Sequence, residues 1–169
     1  FSTNAHTLDA QNAFERGLNA TIPGLAGADE LSGIGEMEAG VMGSFAQMVL
    51  DNELAGSVHR LRAGLSADAE HLAVEIIGNV MNGTRNFLGQ KHTMKHLRGG
   101  ELALTKLAER NSWDTWEEKL ERKGMADHAV DEAERILREH TVPPLEPQQE
   151  KELDRILSAA AQATEKVKK

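Results

Sequence analysis

The 169-residue chain carries a net charge of −8 and contains no cysteine. Its basic residues are dispersed rather than gathered into a stripe, which argues against a nucleic-acid partner, and the lack of cysteine excludes disulfides, thiolate metal sites and cysteine nucleophiles. No apolar run approaches the ~20 residues needed to span a bilayer, so we expect a cytoplasmic protein with no membrane contact.

Helical periodicity begins near the start of the chain. Apolar residues recur every four positions over residues 9–21, which predicts a first helix, and Pro23 is expected to end it. The glycine-rich stretch ADELSGIGE follows, and Leu31 and Ile34 within it predict one brief strand.

A longer helix is predicted over residues 43–64, with its apolar residues on two nearly opposite faces in its two halves. This change of face predicts that the halves pack against different neighbours. A further helix over residues 68–81 has a continuous apolar stripe, with Ser66 as its expected cap.

The rest of the chain reads as short helices, then two long charged ones, predicted over residues 92–97, 101–110, 112–123, 127–140 and from 147 onward. The prediction is therefore one or two short strands among many helices. Because a strand needs a partner strand, the chain is either an all-helical protein with an extended loop or a piece of an α/β protein.

The stretch SGIGEMEAG differs from a dinucleotide-binding loop in two ways. It lacks the third glycine that such a loop needs at a fixed spacing before a helix, and it contains two carboxylates. Glu36 and Glu38 stand where a phosphate would bind, so a cationic or neutral ligand is the better interpretation. The alternative is a glycine-rich connector with exposed acids.

Two histidine-containing stretches are further candidates. His92 and His96 have the spacing of zinc ligands on one helix face, but neither a third ligand nor the glutamate of H-E-x-x-H is evident, so we expect no metal site. In FSTNAHTLD, Asn4, His6 and Asp9 fall where a strand would end and a helix begin, the usual place for catalytic side chains in barrel enzymes. An exposed histidine near a terminus is the alternative.

Three ordered stretches carry a family resemblance: LDAQNAFERGLNATIPGLAGADELSGIGEMEAGVMGSFAQMVLDNELA, then FLGQKHTMKHLR, then PPLEP. Together they resemble the carboxyl-terminal portion of the trimethylamine methyltransferase family. Its members are (β/α)8 TIM barrels that move a methyl group from a methylated amine to the cobalt of a separate corrinoid protein.

The resemblance implies an α/β fold, in which residues 1–64 are the last βα units of a TIM barrel and residues 65–169 a helical extension. The first half of the helix at 43–64 would then face the barrel, and its second half the extension. Members acting on trimethylamine carry pyrrolysine near FSTNAH, and its absence here implies a quaternary amine substrate.

The implied site comprises His6 as the catalytic residue and Asn4, Glu36 and Glu38 as substrate-binding residues. The implied cofactor is a corrinoid carried by the partner protein. We expect a fragment of this kind to be inactive alone and to form homo-oligomers through its exposed strands and apolar faces. The alternative is a non-catalytic helical interaction module.

Overall fold

Helices dominate the computed structural model, which describes residues 1–167, so that the last two residues of the predicted extension lie outside it. Their bounds are α1 (Ala10–Leu25), α2 (Phe45–Ala63), α3 (Ala69–Leu72), α4 (Val74–Met81), α5 (Lys91–Arg98), α6 (Trp113–Lys119), α7 (Met125–Glu139) and α8 (Pro147–Val167). The prediction of a predominantly helical chain with one or two short strands is confirmed.

The two strands, β1 (Glu36–Met37) and β2 (Met42–Gly43), form an antiparallel hairpin. The brief strand predicted around residues 31–34 is wrong, because that stretch is not in a ladder. Its backbone instead makes isolated hydrogen bonds, such as the one that the Phe1 N–H donates to the Ser32 carbonyl at 2.7 Å.

Helix α1 continues past the proline that was expected to end it. Pro23 lies inside the helix, which ends at Leu25 rather than at residue 21. Close packing on α2 accounts for this, because a Cβ atom at Gly24 would lie 2.5 Å from Cγ1 of Val58. Tertiary contact here outweighs the hydrogen bond that proline removes.

The two halves of α2 pack in different clusters, as the change of apolar face predicted. The second half lies in a cluster with the chain start and α1, formed by Phe1, Ala20, Leu31, Leu54, Ala55 and Val58. The first half packs mainly on residues of the predicted extension, in a cluster of Leu8, Ala46, Val49, Leu50, Leu107, Met125 and Ala129.

The helix predicted over residues 68–81 is divided into α3 and α4. Ala73 adopts a left-handed conformation (φ 50°) at the junction, and Asp68 rather than Ser66 caps the first piece by accepting the His71 N–H. Both the single helix and the Ser66 cap were wrong, because the left-handed Ala73 interrupts the helix and its first piece begins at Ala69, directly after Asp68.

The helix predicted over residues 101–110 is wrong as well, because this stretch is a loop. Side chains bind its backbone groups in place of helical hydrogen bonds: Glu53 of α2 accepts the Lys106 N–H at 2.7 Å, and Arg110 donates to the Thr105 carbonyl at 2.7 Å. The loop thereby brings the buried Leu107 onto α2.

The chain divides into two compact units, Phe1–Arg135 and the residues from Ile136 onward. The first contains every predicted site residue. Among the described residues, none of the helices combines the length and apolar character required to cross a membrane.

Candidate functional site

The first six residues form an extended segment with alternating burial. Side chains on one side are buried, namely Phe1, Thr3 and Ala5, and those on the other are exposed, namely Ser2, Asn4 and His6. Successive side chains of an extended chain point to opposite faces. The alternation therefore gives Asn4 and His6 the same exposed face.

Helix α1 and the hairpin turn hold this segment from two directions. The Glu15 carboxylate accepts the Thr3 hydroxyl and the Asn4 N–H, each at 2.7 Å. The hydrogen bond from the Thr3 hydroxyl is the main cause of the lowered pKa of Glu15. From the hairpin, the Glu38 N–H donates to the Ala5 carbonyl at 3.1 Å.

The turn between β1 and β2 is conformationally strained. Glu38 (φ 50°) and Ala39 (φ 54°) both adopt left-handed backbone conformations that disfavour side chains. Such residues cost on the order of 1 kcal/mol each and cluster at functional sites. The strained turn presents the Glu38 carboxylate beside the extended segment.

The structure brings two of the four predicted site residues into contact. Nε2 of His6 lies 3.5 Å from Oε1 of Glu38, with the side chains 71% and 44% exposed. An exposed pair of this kind stabilises a fold by less than about 1 kcal/mol. Asn4 lies on the same exposed face, and its N–H is bound to Glu15.

Glu36 lies at a separate feature, a cavity of about 290 Å³ at the base of the hairpin. Its walls include Glu36, Phe45 and Met48 together with the glycine-rich backbone. One carboxylate, one aromatic ring and apolar walls suit a small organic cation.

A buried ionic network beneath the glycine-rich loop was not predicted from the sequence. Arg16 of α1 and Asp51 of α2 are 2% and 1% exposed, and Nη1 of Arg16 lies 2.6 Å from Oδ2 of Asp51. The same carboxylate accepts the Gly35 N–H at 2.7 Å and the Gln47 amide at 2.8 Å. The i, i+4 spacing of Gln47 and Asp51 on α2 is the signal that could have indicated it.

Two glycines of the loop have left-handed backbones above this network. Gly35 (φ 80°) and Gly33 (φ 86°) adopt left-handed conformations, and a Cβ atom at Gly33 would lie 2.9 Å from the Phe1 carbonyl oxygen. The loop thus closes over the internal anion of Asp51. Burial raises the pKa of Asp51, and the hydrogen bonds from Gly35, Gln47 and Arg16 oppose that rise.

Similar proteins indicate the class of protein to which the chain belongs. It is 36% identical over 138 residues to the trimethylamine methyltransferase MttB of Desulfitobacterium hafniense (strain DSM 10664 / DCB-2), which covers 81% of this chain and 27% of that protein. It is 31% identical over 147 residues to the glycine betaine methyltransferase of D. hafniense (strain Y51), over 86% of this chain and 30% of that protein. These similarities define a methyltransferase class.

Residues 1–163 match the family model described as trimethylamine methyltransferase (MTTB). The chain therefore belongs to the trimethylamine methyltransferase family, and the predicted resemblance is confirmed. A third relative, MttB of Methanosarcina barkeri, is 30% identical over 161 residues, which are 95% of this chain and 32% of that protein. The chain thus spans about a third of the length of these relatives.

Proposed function

We propose that the protein containing this chain transfers a methyl group from a quaternary amine to the cobalt of a corrinoid held by a separate protein. The observation that carries the proposal is the contact of His6 with Glu38 on an exposed face, in a chain of the trimethylamine methyltransferase family. The absence of pyrrolysine from the chain supports a quaternary rather than a tertiary amine, and the relatives include a glycine betaine methyltransferase beside trimethylamine methyltransferases.

The residues at the site suit a cation that cannot donate a hydrogen bond. A quaternary ammonium group has no N–H, so it is held by charge and by contact with apolar or aromatic surfaces. Glu36, Phe45 and Met48 offer these in one cavity. Glu38 contributes a second carboxylate two residues further along the chain, in contact with His6.

The methyl transfer that we propose needs no acid. Co(I) supplies an electron pair to the N-methyl carbon, a Co–C bond forms, and the C–N bond breaks with its electron pair remaining on nitrogen, which leaves as a neutral tertiary amine. The protein's tasks are then to hold the cation in line with the cobalt and to exclude water. We propose His6 as the catalytic residue at this face and Asn4, Glu36 and Glu38 as substrate-binding residues.

Activity is proposed for a longer protein, in which residues 1–64 are the last units of a (β/α)8 barrel and the rest is an extension. An exposed apolar stripe on α1 supports this, formed by Phe14, Leu18, Ile22 and Leu25. Its spacing of three or four residues is typical of a helix face that is covered in a larger fold. We propose that the chain alone is inactive and that its uncovered apolar faces lead it to form homo-oligomers. The full protein is proposed to act in the cytoplasm.

An interaction module is the second candidate function. Helix α8 exposes Leu153, Ile156 and Leu157, which share one face by their i, i+3, i+4 spacing. Such a face fits a helical protein partner. Binding without any methyl transfer by the full-length protein would favour this candidate.

The test is a methyl-transfer assay of the full-length protein with a reduced corrinoid protein and a panel of quaternary amines that includes glycine betaine. The change in cobalt absorbance reports the transfer. We expect Glu36→Gln and Glu38→Gln to raise KM about tenfold each, equivalent to about 1.4 kcal/mol of lost attraction. Glu30→Gln, an exposed acid in the same stretch, is the matched control.

Two results would contradict the proposal. One is the absence of any change at cobalt with every amine in the panel. The other is an equal KM for the Glu30, Glu36 and Glu38 variants, because the carboxylates of the predicted site would then be indistinguishable from an ordinary surface acid.

A further inference from the structure

Three side chains of metal-ligand type converge outside the site described above. They are His71 of α3, His96 of α5 and Glu101 of the following loop, and their ligand atoms all lie within 4.8 Å of one another. Nε2 of His71 lies 3.5 Å from Oε1 of Glu101. Sequence spacing alone indicated only His92 and His96, with no third ligand evident.

Two local turns create this convergence. Helix α3 is a short turn capped by Asp68, which fixes the position of His71. After α5, Gly100 (φ 86°) reverses the chain, so that the Glu101 N–H donates to the His96 carbonyl at 3.3 Å. Glu101 is thereby returned to the end of the helix that carries His96.

Neighbouring side chains bind two of the candidate ligands, His71 and Glu101, at the atom that is not available to the metal. Nδ1 of His71 lies 2.8 Å from both carboxylate oxygens of Asp68, so in the neutral ring Nδ1 carries the proton and Nε2 is available as a ligand. Nη2 of Arg60 donates to Oε2 of Glu101 at 2.6 Å, which leaves Oε1 facing His71. A carboxylate behind a histidine and a fixed carboxylate are the outer contacts typical of metal sites.

The third candidate ligand has an unsatisfied atom. Nε2 of His96 is buried and has no hydrogen-bond partner among the described residues. The nearest carboxylate oxygen, Oε1 of Glu70, lies 3.6 Å away, beyond hydrogen-bond distance. A buried nitrogen without a partner costs about 1–3 kcal/mol, and coordination to a metal ion would remove that cost.

We propose that His71, His96 and Glu101 bind a divalent metal ion of the zinc type, with water in a fourth position. Two imidazoles and a carboxylate form a ligand set that zinc uses when one position stays open. A cavity of about 340 Å³ lies among these residues and His92. Nε2 of His92 is occupied by the Glu70 carbonyl at 2.8 Å, so His92 is left out of the ligand set.

Binding requires only small movements of the side chains. Tetrahedral ligands at about 2.0–2.2 Å from zinc are separated by roughly 3.3–3.6 Å. The pair His71 and Glu101 already has this separation, at 3.5 Å, and the remaining distances, at most 4.8 Å, must shorten by about 1 Å. The bound ion would connect α3, α5 and the loop.

The experiment measures zinc binding by the full-length protein with any histidine tag removed, by competition with a chromophoric chelator. We expect His71→Ala and His96→Ala each to weaken binding at least 100-fold, whereas His140→Ala, an exposed histidine outside the cluster, leaves it unchanged. Asp68→Asn keeps all three ligands and is expected to weaken binding by about 10-fold or more. Far-ultraviolet circular dichroism of each variant checks folding.

Cobalt(II) gives a second readout that does not depend on affinity. The cobalt-loaded protein is expected to show the intense visible absorption of tetrahedral coordination, and Glu101→Gln to change that spectrum. The proposal is overturned if folded His71→Ala and His96→Ala bind zinc as tightly as His140→Ala, or if the parent protein binds no zinc. It is also independent of methyl transfer, because an inactive enzyme that binds zinc would refute only the proposed function.

Discussion

Asp51→Ala is expected to lower the free energy of unfolding by about 3–5 kcal/mol, because it leaves the Arg16 guanidinium buried without its counter-ion. Both side chains are almost wholly buried, at 1% and 2% exposure. The substitution also removes the acceptor of the Gly35 N–H and of the Gln47 amide. The magnitude follows from one uncompensated buried charge and two donors without partners.

A double substitution separates the charge from the hydrogen bonds. In Arg16→Met with Asp51→Leu, no buried charge remains, and only the two donors lack an acceptor. We expect this variant to lose about 1–3 kcal/mol, less than Asp51→Ala alone. The difference between the two variants measures the cost of the isolated guanidinium.

Urea unfolding followed by far-ultraviolet circular dichroism measures these changes in the helical chain. Asn52→Ala, an exposed neighbour on α2, is the matched control and is expected to stay within about 0.5 kcal/mol of the parent. The reasoning is refuted if Asp51→Ala costs less than about 1 kcal/mol, or if the double variant is less stable than Asp51→Ala.

Three further predictions concern the surroundings of this network. Gly35→Ala is expected to lower the free energy of unfolding by about 1–3 kcal/mol, because alanine is strained at φ 80° and its Cβ atom would lie 3.3 Å from Met48. Unfolding in urea measures this change. Ser44→Ala removes the N-cap of α2 and is expected to cost about 1 kcal/mol, whereas Ser44→Gly should cost only a few tenths, and equal losses would contradict the capping role. Hydrogen bonds lower the pKa of Glu15 in the folded protein. The contribution of Glu15 to stability is therefore complete above its unfolded-state pKa and is lost as the pH falls through the lowered folded-state pKa. Glu15→Gln should remove this part of the acid sensitivity, as seen by thermal unfolding at several pH values.

Helix periodicity predicts the long elements of this chain because it depends on residues that are close in sequence. The predicted helices at 43–64 and 127–140 correspond to α2 and α7 within a few residues. Residues 101–110 defeat the same reasoning, because Glu53 and other distant groups bind their backbone. Long-range hydrogen bonds of this kind leave no periodic signal in the sequence.

The candidate site could be predicted only in part for the same reason. Strand-to-helix position indicated His6, and residue chemistry indicated Glu38, but only the fold shows that they touch. The Arg16–Asp51 pair joins positions 35 residues apart, and no local pattern connects two single charged residues over that distance. Glycine-rich composition was visible, whereas its purpose, closing over a buried carboxylate, was not.

The left-handed turn at Glu38 and Ala39 makes stability and activity separable in a mutational screen. Glycine at either position would relax the backbone and is expected to stabilise the fold. At position 39 that gain carries no chemical loss, because alanine contributes only its N–H, bound to the Thr3 carbonyl at 2.9 Å. At position 38 glycine would also remove the glutamate carboxylate. A population selected for robustness alone would drift to glycine at both positions, and retention of glutamate at 38 alone would identify that carboxylate as the property under selection.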